Sequence, residues 1–287
     1  MDDGAGAGPD TEEGGTNGYG RASVTAPVRE EGAVTVDRFG QAPFPCRFLW
    51  GPEGARLAGD RGDIVVIVDT FSFSTATTVA VSRGAAVCAT LSPEDAAAQA
   101  QTTPRAIVLP GRSHPTPEGW SHSPASLRTL PAGMRLIFFS PNGGHCCALV
   151  QRAAALLVGG VVNASSVATA ALGLHHALGL PVTVVACGER WDGDGSLRPC
   201  LEDELGAGAV LSAMGLEPSP EAGAAARLFD VLRGSLAELL WDCGSGRELR
   251  ERGFPDDVRL MSELDHVQAV PVRGPDGWLR DAGYAVR

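Results

Sequence analysis

The sequence predicts an α/β protein, a three-layer α/β/α sandwich on a largely parallel, mixed sheet. Three observations carry that prediction. The apolar run Ile64 to Val68 is uninterrupted, and Val182 to Ala186 is broken only by Thr183, as suits strands covered on both faces. These runs alternate with Ala- and Leu-rich stretches of helical length, the pattern of parallel crossovers. Several runs also break abruptly into Ser, Thr, Asn, Gly or acidic residues, where a strand would hand over to a helix N-terminus.

Taken in order, residues 1–32 are rich in Gly, Asp, Glu, Thr and Ala and poor in large apolar side chains. Too little burial is available there to offset ordering entropy, so a disordered tail is expected, with one globular domain over 33–287. Val34 to Val36 is a candidate first strand, and Phe48-Leu49-Trp50 enters a turn at Gly51-Pro52-Glu53-Gly54. The stretch Asp63 to Thr78, DIVVIVDTFSFSTATT, reads as a buried strand ending at Asp69. Ser74 and Thr75 are its candidate N-caps for a helix over Ala76 to Arg83. Ala85 to Thr90 is a strand, and Ser92-Pro93-Glu94-Asp95 starts a helix with a cap serine, a proline and an acidic first turn.

Ile107 to Leu109 is a strand that runs into a long irregular loop, Pro110 to Ser126, of a length that is usually functional or mobile. Arg135 to Phe139 is the next strand, ending in Ser140-Pro141-Asn142-Gly143-Gly144 before a helix from His145 to Leu156. Leu156 to Val162 ends in Asn163-Ala164-Ser165-Ser166, which precedes a helix to Leu178. Val182 to Ala186 ends in Cys187-Gly188-Glu189-Arg190, followed by a Gly- and Asp-rich excursion, Trp191 to Pro199. Glu202-Asp203-Glu204 then opens a helix toward Met214. Glu221 to Trp241 has helical spacing, two short helices follow, and Val267 to Val272 is a closing strand, a candidate for antiparallel addition, before the hairpin-like turn Gly274-Pro275-Asp276-Gly277.

Composition narrows the function. The 287 residues carry a net charge of -11, which argues against a nucleic-acid partner, because phosphate backbones call for a basic face. No apolar run is long enough for a membrane helix and the acidic start is not a signal peptide, so a cytoplasmic protein is expected. Every basic residue is arginine, which removes lysine Schiff-base chemistry. The seven cysteines form no CxxC pair, which leaves neither a zinc ribbon nor a secreted disulfide framework, and they read as small buried hydrophobes. P-loop, dinucleotide and nucleophile-elbow motifs are absent. His175-His176 sit in mid-helix without a metalloprotease pattern.

Right-handed crossovers would bring four strand ends to one edge: Asp69 to Thr75, Ser140 to Gly144, Asn163 to Ser166, and Cys187 to Arg190 with Glu202-Asp203. Hydroxyls and glycine N–H groups there could cradle a phosphate or carboxylate, and carboxylates could hold a hard cation.

In this order the four turns, with LEDELGAGAV and the late GFPDDVRLMSELDHVQAVPV, resemble the 2-phosphosulfolactate phosphatase family over Trp50 to Val272. The resemblance implies Mg²⁺-dependent hydrolysis of a small phosphorylated organic acid, in the archetype 2-phosphosulfolactate to 3-sulfolactate plus phosphate, a step of coenzyme M biosynthesis. On that reading Asp69 and Glu189 are catalytic. Asp69, Glu202 and Asp203 hold the metal, and Ser74, Thr75, Asn142, Gly143, Asn163 and Ser165 position the phosphate. Whether Asp69 ligates or attacks stays open, as does a homo-oligomer. Ser72 stands where the family's turn usually has an arginine, and Trp191 to Pro199 is an insertion; Arg190, Arg198 and Arg247 are candidates to supply the missing charge. A non-catalytic, anion-binding homologue is the alternative.

Overall fold

A computed structural model describes residues 39–283. The tail expected over 1–32 and the strand expected at Val34 to Val36 lie outside the described residues. The first element is β1 (Cys46–Trp50), followed at once by α1 (Gly51–Asp60). Gly51 to Gly54, expected as a turn, is instead the start of this helix. Pro52 sits in its first turn, where the missing N–H costs nothing, and Glu53 favours its positive end.

β2 (Ile64–Val68) leads into α2 (Phe73–Ser82), β3 (Ala86–Thr90), α3 (Pro93–Thr102) and β4 (Ala106–Val108). Ser92 caps α3 as expected, accepting the Asp95 N–H at 3.0 Å. The cap of α2 is Ser72, not Ser74 or Thr75, and α2 starts three residues earlier than its apolar spacing suggests. After the long loop come β5 (Arg135–Phe139), α4 (Gly143–Leu149), β6 (Ala155–Gly159), α5 (Ala164–Leu178) and β7 (Val182–Ala186).

The insertion forms a small hairpin, β8 (Glu189–Arg190) with β9 (Leu197–Arg198). Next are α6 (Leu201–Met214), α7 (Pro220–Leu232), α8 (Leu236–Asp242), α9 (Gly244–Glu251) and α10 (Pro255–Met261). The helix expected over Glu221 to Trp241 is thus two, separated by a 3-10 turn around Gly234. A hairpin of β10 (Pro271–Arg273) and β11 (Leu279–Asp281) closes the fold.

The main sheet runs in the order β1-β7-β2-β6-β10-β11-β3-β5-β4. It consists of two parallel blocks, β1-β7-β2-β6 and β3-β5-β4, joined by the β10–β11 hairpin through antiparallel steps. The hairpin is tied to each block by a single residue pair, Val272 with Leu157 and Leu279 with Val87. The sheet is thus largely parallel and mixed, as expected, with its antiparallel hairpin lying between the two parallel blocks. All five residues of β2 and of its neighbour β7 are 0% exposed, and burial on both faces explains the unbroken aliphatic sequence of β2. α1 packs on α4, while α5, α6 and α7 form a second helical layer. α6 comes very close to the end of β2, because a Cβ at Gly206 would lie 2.4 Å from Thr70 Oγ1.

Asn163 joins three parts of this core. It is 0% exposed; its side-chain oxygen accepts the Gly160 N–H, and its amide donates to Thr78 Oγ1 at 3.2 Å and to the Ala269 carbonyl at 3.0 Å. Asn163→Ala strands these buried groups and should cost about 2–4 kcal/mol in urea unfolding. The phosphate affinity of the folded variant should stay at the wild-type level. A stable variant with weakened phosphate binding would return Asn163 to the ligand site.

Candidate active site

The peptide leaving β2 is stapled by hydroxyls. Ser74 Oγ accepts the Asp69 N–H at 2.8 Å and donates to the Ile67 carbonyl, and Thr75 Oγ1 donates to the Thr70 carbonyl. Ser74 and Thr75 thus lie beside Asp69, yet their side chains are spent on the turn itself. The Asp69 carboxylate, freed from capping its own strand end, accepts the Gly143 N–H at 2.7 Å and the Phe73 N–H at 3.3 Å. The approach requires glycine at 143, where a Cβ would lie 2.5 Å from Asp69 Cβ and 2.8 Å from Phe73 Cβ. Asn142, one residue before, donates from Nδ2 to Glu189 Oε2 at 2.7 Å. The turn after β5 therefore reaches the end of β2 even though the two strands belong to different blocks.

The first turn of α6 supplies the opposite wall. Asp203 accepts the Thr70 N–H on one oxygen at 2.7 Å and the Gly188 N–H on the other at 2.8 Å. Thr70 Oγ1 in turn donates to the Glu202 carbonyl. Glu202 is buried, 2% exposed, and its charge acts on the Cys243 thiol at the start of α9, which itself donates to the Leu240 carbonyl at 3.2 Å. A narrow cleft lined by Pro52, Asn142, Cys187, Glu189, Arg190 and Leu197 runs beside Glu189. A wider depression, about 910 Å³, lies elsewhere, along Cys88, Gln99, Cys147 and Arg273, and none of the clustered carboxylates lines it.

Asp69, Asn142, Gly143, Glu189, Glu202 and Asp203 are thus brought together. Asn163 is not among them, for the reason given above. Ser165 is also apart, since its N–H and hydroxyl both bond Asp265 at the surface.

The cluster is short of positive charge. Burial pushes Asp69 up to about 6, against the pull of the Gly143 and Phe73 N–H groups and of Arg112, with Glu202 adding to the rise. Burial also pushes Glu189 up to about 7, and the Asp69 and Glu202 charges add to the rise. Asp203 is raised well above the usual carboxylate range by burial and by Asp69 and Glu202. Among the described residues, no group of three or more His, Cys, Asp or Glu side chains forms a ready-made metal cage. The donor set of hard, undercompensated carboxylate oxygens still fits Mg²⁺, which is commonly held by one or two carboxylates together with substrate phosphate and water.

Other nucleophiles are disfavoured. All seven cysteines are free, and burial lifts the Cys46, Cys147 and Cys243 thiols to about 12 and Cys187 and Cys200 higher still, so thiolates are scarce. Burial lowers His122 to about 4, which keeps it neutral.

The sequence reading missed Arg112. None of the three arginines it nominated stands beside Asp69's carboxylate as a counter-charge: Arg190 bonds the Gly195 carbonyl, Arg198 lies over the Trp191 ring and acts on Glu189, and Arg247 is exposed. The cation that acts on Asp69 comes from the long loop, and the only signal for it was that loop's length.

Among the described residues no helix is long and apolar enough to cross a membrane. The family model for 2-phosphosulpholactate phosphatase matches residues 52–274. A protein of Gloeobacter violaceus named "Probable 2-phosphosulfolactate phosphatase" is 31% identical over 215 residues, 73% of this chain and 87% of its own. A protein of the same name from Cyanothece sp. is 26% identical over 236 residues, 77% of this chain and 93% of its own. Another, from Gloeothece citriformis, is 25% identical over 157 residues, 53% of this chain and 61% of its own.

The raised carboxylates fix a sign. A carboxyl whose folded value lies above its unfolded one binds protons more tightly in the native state, so its destabilising charge is felt at high pH and relieved as pH falls. For Glu189 the window runs from above its folded value of about 7 down to its unfolded value of 4.5. Glu189→Gln should therefore be more stable than wild type by about 1–3 kcal/mol at pH 8 in EDTA, with the gap closing toward pH 5. Urea unfolding at both pH values measures this; an unchanging gap contradicts it.

Proposed function

The chain belongs to the 2-phosphosulpholactate phosphatase family, a family of phosphoric monoester hydrolases, and from that premise we propose that it hydrolyses 2-phosphosulfolactate or a close phosphorylated acid with the help of Mg²⁺. The observation that supports this most is the convergence of Asp69, Glu189, Glu202 and Asp203 with the Asn142-Gly143 turn.

Asp69, Glu202 and Asp203 are the carboxylates to hold Mg²⁺, and Asp203, which accepts the Thr70 and Gly188 N–H groups, also fixes the walls around them. When bound, the ion would neutralise the phosphoryl oxygens and lower the charge barrier to attack. Asn142 keeps Glu189 aimed across the site. Glu189, with its proton leaving near pH 7, is poised as the acid that delivers a proton to the departing hydroxyl oxygen of the organic acid. Water supplies the new P–O bond, and its proton ends on phosphate or on a carboxylate of the cluster. Asp69 is assigned as a ligand and not as a nucleophile: each of its oxygens accepts one N–H, which holds the carboxylate in place and leaves a lone pair for a cation.

The test is phosphate release from a panel of phosphorylated 2-hydroxy acids, with Mg²⁺ and with EDTA. Release should require the ion, and Asp69→Asn should lose about 100- to 1,000-fold in turnover with its melting temperature retained. Near-normal release from that variant at saturating Mg²⁺ removes Asp69 from the chemistry. Thermal stabilisation by inorganic phosphate, with no substrate turned over, would favour the anion-binding homologue instead.

A further inference from the structure

Loop 110–126 is anchored to the body of the protein by one buried carboxylate. Asp257 of α10, 1% exposed, accepts Ser123 Oγ at 2.6 Å and the Ala125 N–H at 3.0 Å on one oxygen, and Arg112 Nε at 3.0 Å on the other. The Arg112 guanidinium also lies over the Phe254 ring, 6.0 Å from its centroid. Held from these two sides, its side chain is only 11% exposed. Its Nη2 is shielded from solvent and has no hydrogen-bond partner. A buried guanidinium nitrogen without an acceptor costs stability, and such an atom calls for an explanation, an absent ligand among them.

The direction of this unused donor matters. Arg112 acts electrostatically on Asp69, yet no ion pair or hydrogen bond joins the two. Both Asp69 oxygens already accept N–H groups. A phosphoryl oxygen would give this idle nitrogen the acceptor that Asp69 does not supply. Ser72, the α2 cap, is 8% exposed and brings no charge.

Resting on the phosphatase reading, we propose that Arg112 binds a phosphoryl oxygen of the substrate, so that the charge absent at position 72 is delivered from loop 110–126 and aimed by Asp257. Arg112 is then in contact with substrate, while Asp257 is a positioning residue. A rigidly held arginine offers planar, directional recognition that lysine cannot copy.

Isothermal titration with inorganic phosphate tests this without knowledge of the true substrate. Arg112→Gln should weaken phosphate binding by about 10- to 100-fold, the effect of one charged hydrogen bond. Arg112→Lys should recover only part of it, and Arg56→Gln, a surface arginine of α1, should match wild type. Because Arg112→Gln leaves Asp257 buried without its cation, the double variant Arg112→Gln/Asp257→Asn is measured in parallel and should bind as weakly. Asp257→Asn alone should weaken binding less than Arg112→Gln does. Wild-type phosphate affinity in folded Arg112→Gln or in the double variant overturns the assignment, as does an Arg56→Gln defect of equal size. If the panel of esters is hydrolysed while these affinities do not change, the arginine assignment fails and the enzyme stands. If nothing is hydrolysed while Arg112→Gln and the double variant both lose phosphate and Arg56→Gln keeps it, the enzyme reading fails and the arginine is still assigned to the anion.

Discussion

The carboxylate of Asp203 is the fastening on which the rest of the site depends. Two neighbouring parallel strands, β2 and β7, each end with a peptide N–H that has no strand partner, and Asp203 takes one on each oxygen. This satisfies two buried donors at once and pins the first turn of α6 against both strand ends. The helix can come this close because Gly206 faces Thr70 without a side chain. Glu202, the preceding residue, is thereby fixed over Asp69's end of the sheet. The unusual closeness of acidic groups is a consequence of this fastening and not of an independent packing preference.

Four carboxylates in one buried place repel one another, and the fold answers with partial charges more than with full ones. Backbone N–H groups from Phe73, Gly143, Thr70 and Gly188 point at them, and Glu202 and Asp203 occupy the positive end of α6. These dipoles are preorganised by the strand-to-helix turns and need no rearrangement when an anion or cation arrives. They do not cancel the repulsion, as the raised values of Asp69 and Glu189 attest. The site is thus held in a state of tension that positive charge placed among these carboxylates would relieve.

How much of this could be read beforehand follows from which signals are local. β2 and β7 were legible because a strand buried on both faces needs a continuous aliphatic run. Asp69, Gly143, Glu189, Glu202 and Asp203 were legible because they follow such runs or open a helix. The same rule overreached at Asn163 and Ser165, whose residue types are equally suited to holding backbone and loop, as they do here. It misread Gly51 to Gly54, where glycine and proline can open a helix as readily as a turn. Arg112 was illegible because its orientation is set by Asp257, 145 residues later in the chain. The turn at Gly274 to Gly277 announced the β10–β11 hairpin, but its place between the two blocks rests on two isolated pairings with distant strands.

That seam has a mechanical meaning. Asp69, Glu189, Glu202 and Asp203 are carried by the slab built on β2 and β7, whereas Asn142, Gly143 and Arg112 are carried by the slab built on β3, β5 and β4. The two slabs share only one rung with each side of the hairpin. The Gly143–Asp69 and Asn142–Glu189 hydrogen bonds both cross that seam, so the carboxylate cluster also ties the two halves of the sheet in register.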